Sequence, residues 1–287
     1  WNRFIYQVTK LSHPRCKIVK TAVCLHGYFG TLSTNDFSTS EGGFKHIQEE
    51  VVSKSDQVDF YVHCWQPEYE SEIQSLYSPK ESIFEKQIDF KKVCASNNIH
   101  QNYIDEHFPR SRTMYKNATA ERILSFYYSR CSSIKLALKE EYDFILTTRF
   151  DISTRGGNEV KFIKFDSSTE REFLYTTDWN QKNVGYGDMW FYGSEEVMRK
   201  YSNIYNNALL DFQPFSKYEK VATSGWPDSN NFNINDFNDQ RQFTNEIDKI
   251  NKSENLMSFP KWRITDSHLH HKWFCMQNGL YDITRWL

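Results

Sequence analysis

Apolar and polar positions near the start of the chain follow strand and helix patterns in turn. The mostly apolar run Ile18–Leu25 is typical of a buried strand, and it ends at a glycine-containing turn, His26–Gly30. Apolar residues then recur at helical spacing from Gly43 to Lys54, and Val58–Trp65 is a second apolar run. The order strand, helix, strand predicts a βαβ unit and therefore a parallel sheet.

The middle of the chain contains the longest helical pattern and one further strand. The pattern predicts a helix from Thr119 to Glu140, capped at its start by Asn117 or Thr119. Residues 80–112 show no clean period. The apolar run Phe144–Leu146 predicts a short strand, and charged side chains appear only at its C-terminal end. Because ligands gather outside the carboxyl ends of strands in open parallel sheets, we expect a site there.

The second half of the chain has shorter patterns. Phe173–Thr177 and Met189–Tyr192 are typical of short strands, and a helix capped by Ser194 is predicted to run to Leu210. Residues 227–239 predict a long loop, and the aromatic tail 259–287 is expected to pack back on the body. Together the patterns predict an α/β fold: one domain, residues 1–287, with a mixed, mainly parallel sheet and flanking helices.

Composition and charge exclude several classes of protein. The 287 residues include 35 Lys and Arg against 37 Asp and Glu, so the net charge of -2 argues against a nucleic-acid partner. No run approaches the roughly 20 apolar residues that a transmembrane helix needs, so no transmembrane segment is expected. Balanced charge and 16% aromatic residues argue against a disordered chain.

The cysteines indicate a compartment. The six cysteines are scattered and form no C-x-x-C pair, which favours a reducing environment and a cytoplasmic location. Since the chain begins at Trp1, an anchor or signal segment before it, or a peripheral position at a membrane, stays open.

Candidate chemistry concentrates where strands end. Glycine in the His26–Gly30 turn lets the backbone approach a ligand closely. Side chains alternate along a strand, so Arg149 and Asp151 point one way and Phe150 the other. A guanidinium beside a carboxylate suits a diphosphate with a bound divalent metal. Asp188, just before an aromatic strand, offers a second carboxylate that could act as a general base.

Five segments, taken in their order, resemble one enzyme family. They are Ala22–Gly27, Val58–Trp65, Ser125–Ser129, Tyr142–Asp151 and Gly187–Phe191. The order resembles that of GT-A-fold glycosyltransferases, of the poorly characterised type linked to bacterial and viral surface polysaccharide synthesis. The similarity covers most of residues 17–210.

This resemblance implies a reaction and a set of contacts. It implies a nucleotide-sugar donor, a divalent cofactor (Mn²⁺ or Mg²⁺) and transfer of the sugar to a hydroxyl group of a glycan acceptor. Residues 17–151 would bind the nucleotide sugar, and residues 152–287 would bind the acceptor. If the reaction inverts the anomeric centre, Asp188 would deprotonate the acceptor hydroxyl, with Asp178 as the second choice. The residues expected at the nucleotide sugar are His26, Gly27, Arg122, Ser125, Arg149 and Asp151.

The expected metal site departs from the family pattern. The resemblance places Asp151 where the metal-binding D-x-D carboxylate stands, and it implies that a late histidine, His268 or His270, completes the metal shell. These two histidines would share a face if the tail were extended. Position 153 is Ser and position 149 is Arg, so one aspartate is present. Either Asp151 and the phosphates alone hold the metal, or Arg149 replaces part of its charge.

Two other functions fit the residues. A glycoside hydrolase also needs two carboxylates, and the sequence does not give their separation. A non-catalytic carbohydrate-binding protein would explain the aromatic residues, since six of the eight tryptophans lie from Trp179 onward. The G-x-S-x-G, P-loop and H-E-x-x-H motifs are absent, which argues against the enzyme classes that depend on them.

Overall fold

A seven-stranded sheet organises the part of the chain that the computed structural model describes. The described residues are 18–29, 40–101, 104, 119–152, 154–155, 158–159, 169–177, 186–219, 265 and 267–286. The strands are β1 (Lys20–Gly27), β2 (Gln57–Cys64), β3 (Glu81–Phe84), β4 (Phe144–Arg149), β7 (Leu174–Thr176), β8 (Trp190–Gly193) and β9 (Thr284–Trp286), with a separate hairpin of β5 (Thr154–Arg155) and β6 (Asn158–Glu159). Their order across the sheet is β3-β2-β1-β4-β8-β7-β9.

Most neighbouring strands of this sheet are parallel. β1 pairs in parallel with both β2 and β4, β2 with β3, and β7 with β9. β8 is antiparallel to β4 and to β7. The predicted α/β fold with a mixed, mainly parallel sheet is therefore confirmed, and strands from both predicted halves of the chain join the same sheet.

Seven α-helices are described around the sheet. They are α1 (Ser40–Glu50), α2 (Glu70–Tyr77), α3 (Phe90–Ser96), α4 (Ala120–Ala137), α5 (Glu195–Tyr201), α6 (Ile204–Asp211) and α7 (Ser267–Gln277). Of the two predicted caps of α4, Thr119 accepts a hydrogen bond from the Arg122 N–H at 3.3 Å, and Asn117 lies outside the described residues. The predicted loop 227–239 also lies outside them.

The helix predicted from Ser194 to Leu210 is two helices, so this prediction was wrong. Ser194 does cap α5, but the helix stops at Tyr201 and α6 begins at Ile204. At the break, Ser202 Oγ and Asn203 Nδ2 donate to the carbonyl oxygen of Arg199, at 2.8 and 3.2 Å. Short polar side chains that bond to the backbone in this way compete with the helical ladder, which explains the interruption.

Strand alternation divides the core between the two faces of the sheet. Cys24, Tyr61 and Ile145 pack on the face covered by α4 and α7. The residues next to each of them along its strand pack on the opposite face, which α1 and α2 cover. Because His26 follows Cys24 by two positions and Arg149 follows Ile145 by four, both side chains belong to the α4 face.

Within the described residues, none of the helices combines the length and the apolar character that crossing a membrane requires.

Candidate functional site

The carboxyl ends of the central parallel strands meet at one edge of the sheet. His26 at the end of β1 is in register with His63 on β2 and with Arg149 on β4. β8 runs in the opposite direction, so its first residue, Trp190, pairs with Thr148 near the end of β4. The chain continues from β1 to β2 on one side, while β4 lies on the other side of β1. The β1–β4 boundary is therefore the switch point of the sheet, where ligands of open α/β folds bind.

The turn after β1 depends on a glycine. Gly27 has a φ of +102°, a conformation that residues with a side chain rarely adopt. Its N–H donates to Ser129 Oγ on α4 at 2.9 Å. The hydrogen bond and the backbone conformation together fix the position of this turn at the switch point.

Arg149 and Asp151 form a bidentate ion pair at the end of β4. Arg149 Nε donates to Asp151 Oδ1 at 2.8 Å, and Arg149 Nη2 donates to Asp151 Oδ2 at 2.5 Å. The side chains are 31% and 18% exposed. Phe150 is fully buried on the other face, as the predicted alternation requires. A Cβ atom added to Gly43 would lie 1.8 Å from the Phe150 carbonyl oxygen, so α1 packs directly on the backbone of this segment.

Asp188 is a half-buried carboxylate just before β8. Ser267 Oγ donates to its Oδ2 at 3.1 Å. Burial alone would raise the pKa of Asp188, but its electrostatic interactions with His268, Arg149, Arg130 and His271 outweigh burial and hold the pKa well below its usual range. Asp188 is therefore ionised and lies within the electrostatic reach of Arg149.

Arg130, which the sequence analysis did not single out, is fully buried behind this edge. Its Nε donates to His26 Nε2 at 3.1 Å, and its Nη1 donates to Tyr201 Oη at 2.8 Å and to His271 Nε2 at 3.0 Å. Its Nη2 donates to the main-chain oxygen of Asp188. Each of these acceptors is neutral, and the charge of Arg130 also acts on the Asp188 carboxylate, whose pKa it helps to lower. One sequence signal was available, because Arg130 is one turn after Phe126 on the apolar face of the predicted helix.

Three buried histidines near Arg130 are held neutral. Burial, followed by the charges of Arg130 and Arg149, lowers the pKa of His26 well below its usual range, and burial followed by Arg130 does the same for His271. Burial also lowers the pKa of His63, whose Nδ1 lies 2.7 Å from Ser129 Oγ and whose Nε2 lies 3.0 Å from Glu85 Oε1. These rings serve as neutral hydrogen-bonding groups rather than as additional cations.

The two tail histidines do not share a face. The segment is the helix α7 and not an extended strand, so positions 268 and 270 point to different sides. His268 is half-buried, and its Nδ1 donates to the Tyr186 carbonyl oxygen at 2.7 Å. His270 is fully buried, with Nδ1 3.2 Å from Tyr127 Oη and Nε2 3.0 Å from Asp211 Oδ2. Both ring nitrogens of His270 are therefore already engaged.

The first turns of α4 contribute the outer part of the site. Arg122 is exposed, and its charge acts against the burial that raises the pKa of Tyr28, so the two residues are neighbours. Gln87 joins Tyr28 to Ser125: it accepts from Tyr28 Oη at 2.5 Å and donates to Ser125 Oγ at 2.7 Å. Tyr28 is 40% exposed, so its ring, which the hydrogen bond to Gln87 fixes in place, presents an aromatic surface to solvent.

The described side chains do not fit a divalent metal ion as they stand. Both oxygens of Asp151 accept hydrogen bonds from Arg149, and a cation at the same place would repel that guanidinium. No group of three or more His, Cys, Asp or Glu side chains within the described ranges is arranged to hold a metal. Asp178, the second choice for the general base, lies outside the described residues. The Mn²⁺ or Mg²⁺ cofactor therefore stays a prediction.

Comparison with known proteins does not assign the chain to a family. No protein-family model matches the sequence, and no curated protein matches it significantly.

Proposed function

We propose that the protein is a glycosyltransferase of the GT-A type, which moves a sugar from a nucleoside-diphosphate sugar to a hydroxyl group of a glycan acceptor. The observation that carries the proposal is the position of Arg149 and Asp151 beside His26 at the switch point of the sheet. This is the position where open α/β sheets bind nucleotides. The strand order β3-β2-β1-β4 agrees with that of the dinucleotide-binding folds.

Arg149 supplies the chemistry that the departing diphosphate needs. Glycosyl transfer breaks the bond between the anomeric carbon and a phosphate oxygen, and negative charge develops on the leaving group. Fixed hydrogen-bond donors and cations aimed at that charge lower the barrier. On binding, the planar guanidinium of Arg149 would exchange its bidentate contact with Asp151 for two phosphate oxygens, and Arg130 adds a buried positive charge to the site.

Asp188 is the described carboxylate proposed to receive the acceptor proton. It is ionised, and Ser267 orients it through a 3.1 Å hydrogen bond. Its low pKa makes it a weak base, so proton transfer would accompany departure of the diphosphate rather than precede it. The acid side of the pH–rate profile should consequently not report the titration of Asp188 near neutral pH.

The two rival functions, a glycoside hydrolase and a non-catalytic carbohydrate-binding protein, have less support than the glycosyltransferase. A glycosidase needs a carboxylic acid that stays protonated near neutral pH, and the depressed pKa of Asp188 is unsuited to that role. A carbohydrate-binding surface needs exposed aromatic platforms, but three of the four described tryptophans, Trp65, Trp190 and Trp273, are buried in the core, and the fourth, Trp286, is half-buried.

A binding panel tests the proposal. Purified protein is heated with UDP, GDP, CDP or ADP, each with and without Mn²⁺, and the melting temperature is recorded. A ligand that binds the native state raises the melting temperature, so at least one nucleoside diphosphate should do so. Release of that nucleoside diphosphate from its sugar derivatives is then measured with glycan acceptors. A panel without any shift, together with hydrolysis of glycosides, would support the hydrolase instead.

A further inference from the structure

Arg130 determines which ring nitrogen of His26 carries the hydrogen. A guanidinium group can only donate hydrogen bonds. Since Arg130 Nε donates to His26 Nε2 at 3.1 Å, Nε2 must present its lone pair. The low pKa of His26 keeps the ring neutral, and a neutral imidazole carries one hydrogen. That hydrogen therefore sits on Nδ1, which makes Nδ1 a hydrogen-bond donor.

This donor has no partner within the described residues. The His26 side chain is only 1% exposed, and its Nδ1 is a buried atom that makes no hydrogen bond there. Buried polar groups are nearly always paired, and an unpaired one destabilises the fold unless something else compensates. A ligand atom that accepts from Nδ1 would provide that compensation.

The surroundings of His26 select the charge of the acceptor. Arg149 is in register with His26 on the neighbouring strand and lies on the same face of the sheet, and Arg130 contacts the Nε2 atom of the ring. The charges of both arginines act on His26. An oxygen bound to Nδ1 would experience the same two charges, so an anionic oxygen is favoured over a neutral one.

We propose that His26 donates its Nδ1 hydrogen to a phosphate oxygen of the ligand, and that Arg130 is the positioning residue that fixes this tautomer. The identity of the ligand as a nucleoside diphosphate rests on the proposed function. The hydrogen bond itself requires only a phosphate group.

Nitrogen NMR of protein labelled with ¹⁵N-histidine reads the tautomer directly. The resonances of His26 are assigned by their loss in His26→Asn. In the free protein at neutral pH we expect a neutral ring with hydrogen on Nδ1, and added pyrophosphate should shift that Nδ1 resonance. A hydrogen on Nε2, a cationic ring, or no response to saturating pyrophosphate would overturn the proposal.

Two substitutions at His26 form a matched pair. The amide of Asn reaches about as far as Nδ1 and can keep a donor there, whereas the amide of Gln reaches about as far as Nε2 and keeps only the partner of Arg130. By calorimetry, His26→Gln should weaken pyrophosphate binding about tenfold, the usual cost of one unpaired buried group, and His26→Asn by about threefold or less. Equal losses in the two variants would contradict the assigned donor. The NMR measurement on the unsubstituted protein does not depend on how well either variant folds.

Separate ligands distinguish this inference from the proposed function. If pyrophosphate binds through His26 but no nucleoside diphosphate binds more tightly, the donor assignment is supported and the glycosyltransferase proposal fails. If a nucleoside diphosphate binds equally well to the wild type and to His26→Gln, the donor assignment fails and the proposed function stands. Binding of neither ligand overturns the donor assignment as well.

Discussion

The two edges of the sheet both carry charged clusters, but they satisfy their charges in different ways. At the amino edge, Lys20 and Lys80 pair with Asp59 and Glu140 at N···O distances between 2.5 and 3.7 Å. Their side chains are 21% to 41% exposed. Cations and carboxylates alternate, so the cluster compensates its own charge in contact with water.

The carboxyl edge instead buries a cation among neutral groups. Arg130 is fully buried and donates to His26, His271 and Tyr201. The histidines stay neutral, and His26 Nδ1 makes no hydrogen bond within the described residues. Within the described residues the amino edge therefore compensates its own charges, whereas the carboxyl edge combines a buried cation with a buried ring nitrogen that makes no hydrogen bond. This difference is why we assign function to the carboxyl edge.

The largest expected effect on stability is at Arg130. Arg130→Met removes the donor that His26 Nε2 and the Asp188 carbonyl oxygen accept from, and two buried acceptors left unpaired should lower the free energy of unfolding by about 2–4 kcal/mol. Lys80→Met at the amino edge is the matched control, and it should leave the urea midpoint nearly unchanged because the lysine is exposed. Similar urea midpoints for the two variants would remove the contrast between the edges.

The next effect concerns activity. Arg149→Gln removes the charge proposed to stabilise the departing diphosphate, so the turnover of nucleotide sugar should fall by about 10²–10³-fold. Arg199→Gln is a suitable control, because Arg199 also forms an ion pair, with Glu195 on the surface of α5. The melting temperatures of both variants should stay close to that of the wild type. Unchanged turnover in Arg149→Gln would exclude the role given to this arginine.

The third effect is a pH dependence of stability. The pKa values of His26, His63 and His271 are lowered in the folded protein from a reference value of 6.5, so the unfolded chain binds protons that the folded protein does not. Stability should be highest above pH 6.5 and fall below it, by up to about 1.4 kcal/mol per pH unit for each histidine. Urea unfolding at pH 7.5 and pH 5.5 measures the difference. His26→Asn should reduce the slope, and a profile independent of pH would contradict the neutral histidines.

Local patterns predicted the elements that carry the site. The apolar run after residue 17 became β1, the cap at Thr119 begins α4, and strand alternation placed Arg149 and Asp151 together with Phe150 opposite. These predictions depend on neighbours within a few residues, where period and cap geometry act directly. The prediction for the tail was wrong, because it placed His268 and His270 on one face of an extended segment. The segment is a helix.

Contacts between distant parts of the chain were beyond this kind of reasoning. The partners of Arg130 lie 104, 71 and 141 positions away, at His26, Tyr201 and His271. Periodicity indicated only that Arg130 falls on the buried face of its helix. It did not indicate which acceptors would meet it there.

The sequence by itself determined the α/β class, the parallel start of the sheet and the strand end where charge collects, because each follows from the spacing of residues close together in the chain. Only the tertiary structure decided that Arg149 and Asp151 bond to each other, that Asp188, just before the antiparallel strand β8, lies within the electrostatic reach of Arg149, and that a buried arginine controls the hydrogen of His26. Those features depend on which elements the packed sheet brings side by side, and burial then sets the protonation of the groups enclosed there.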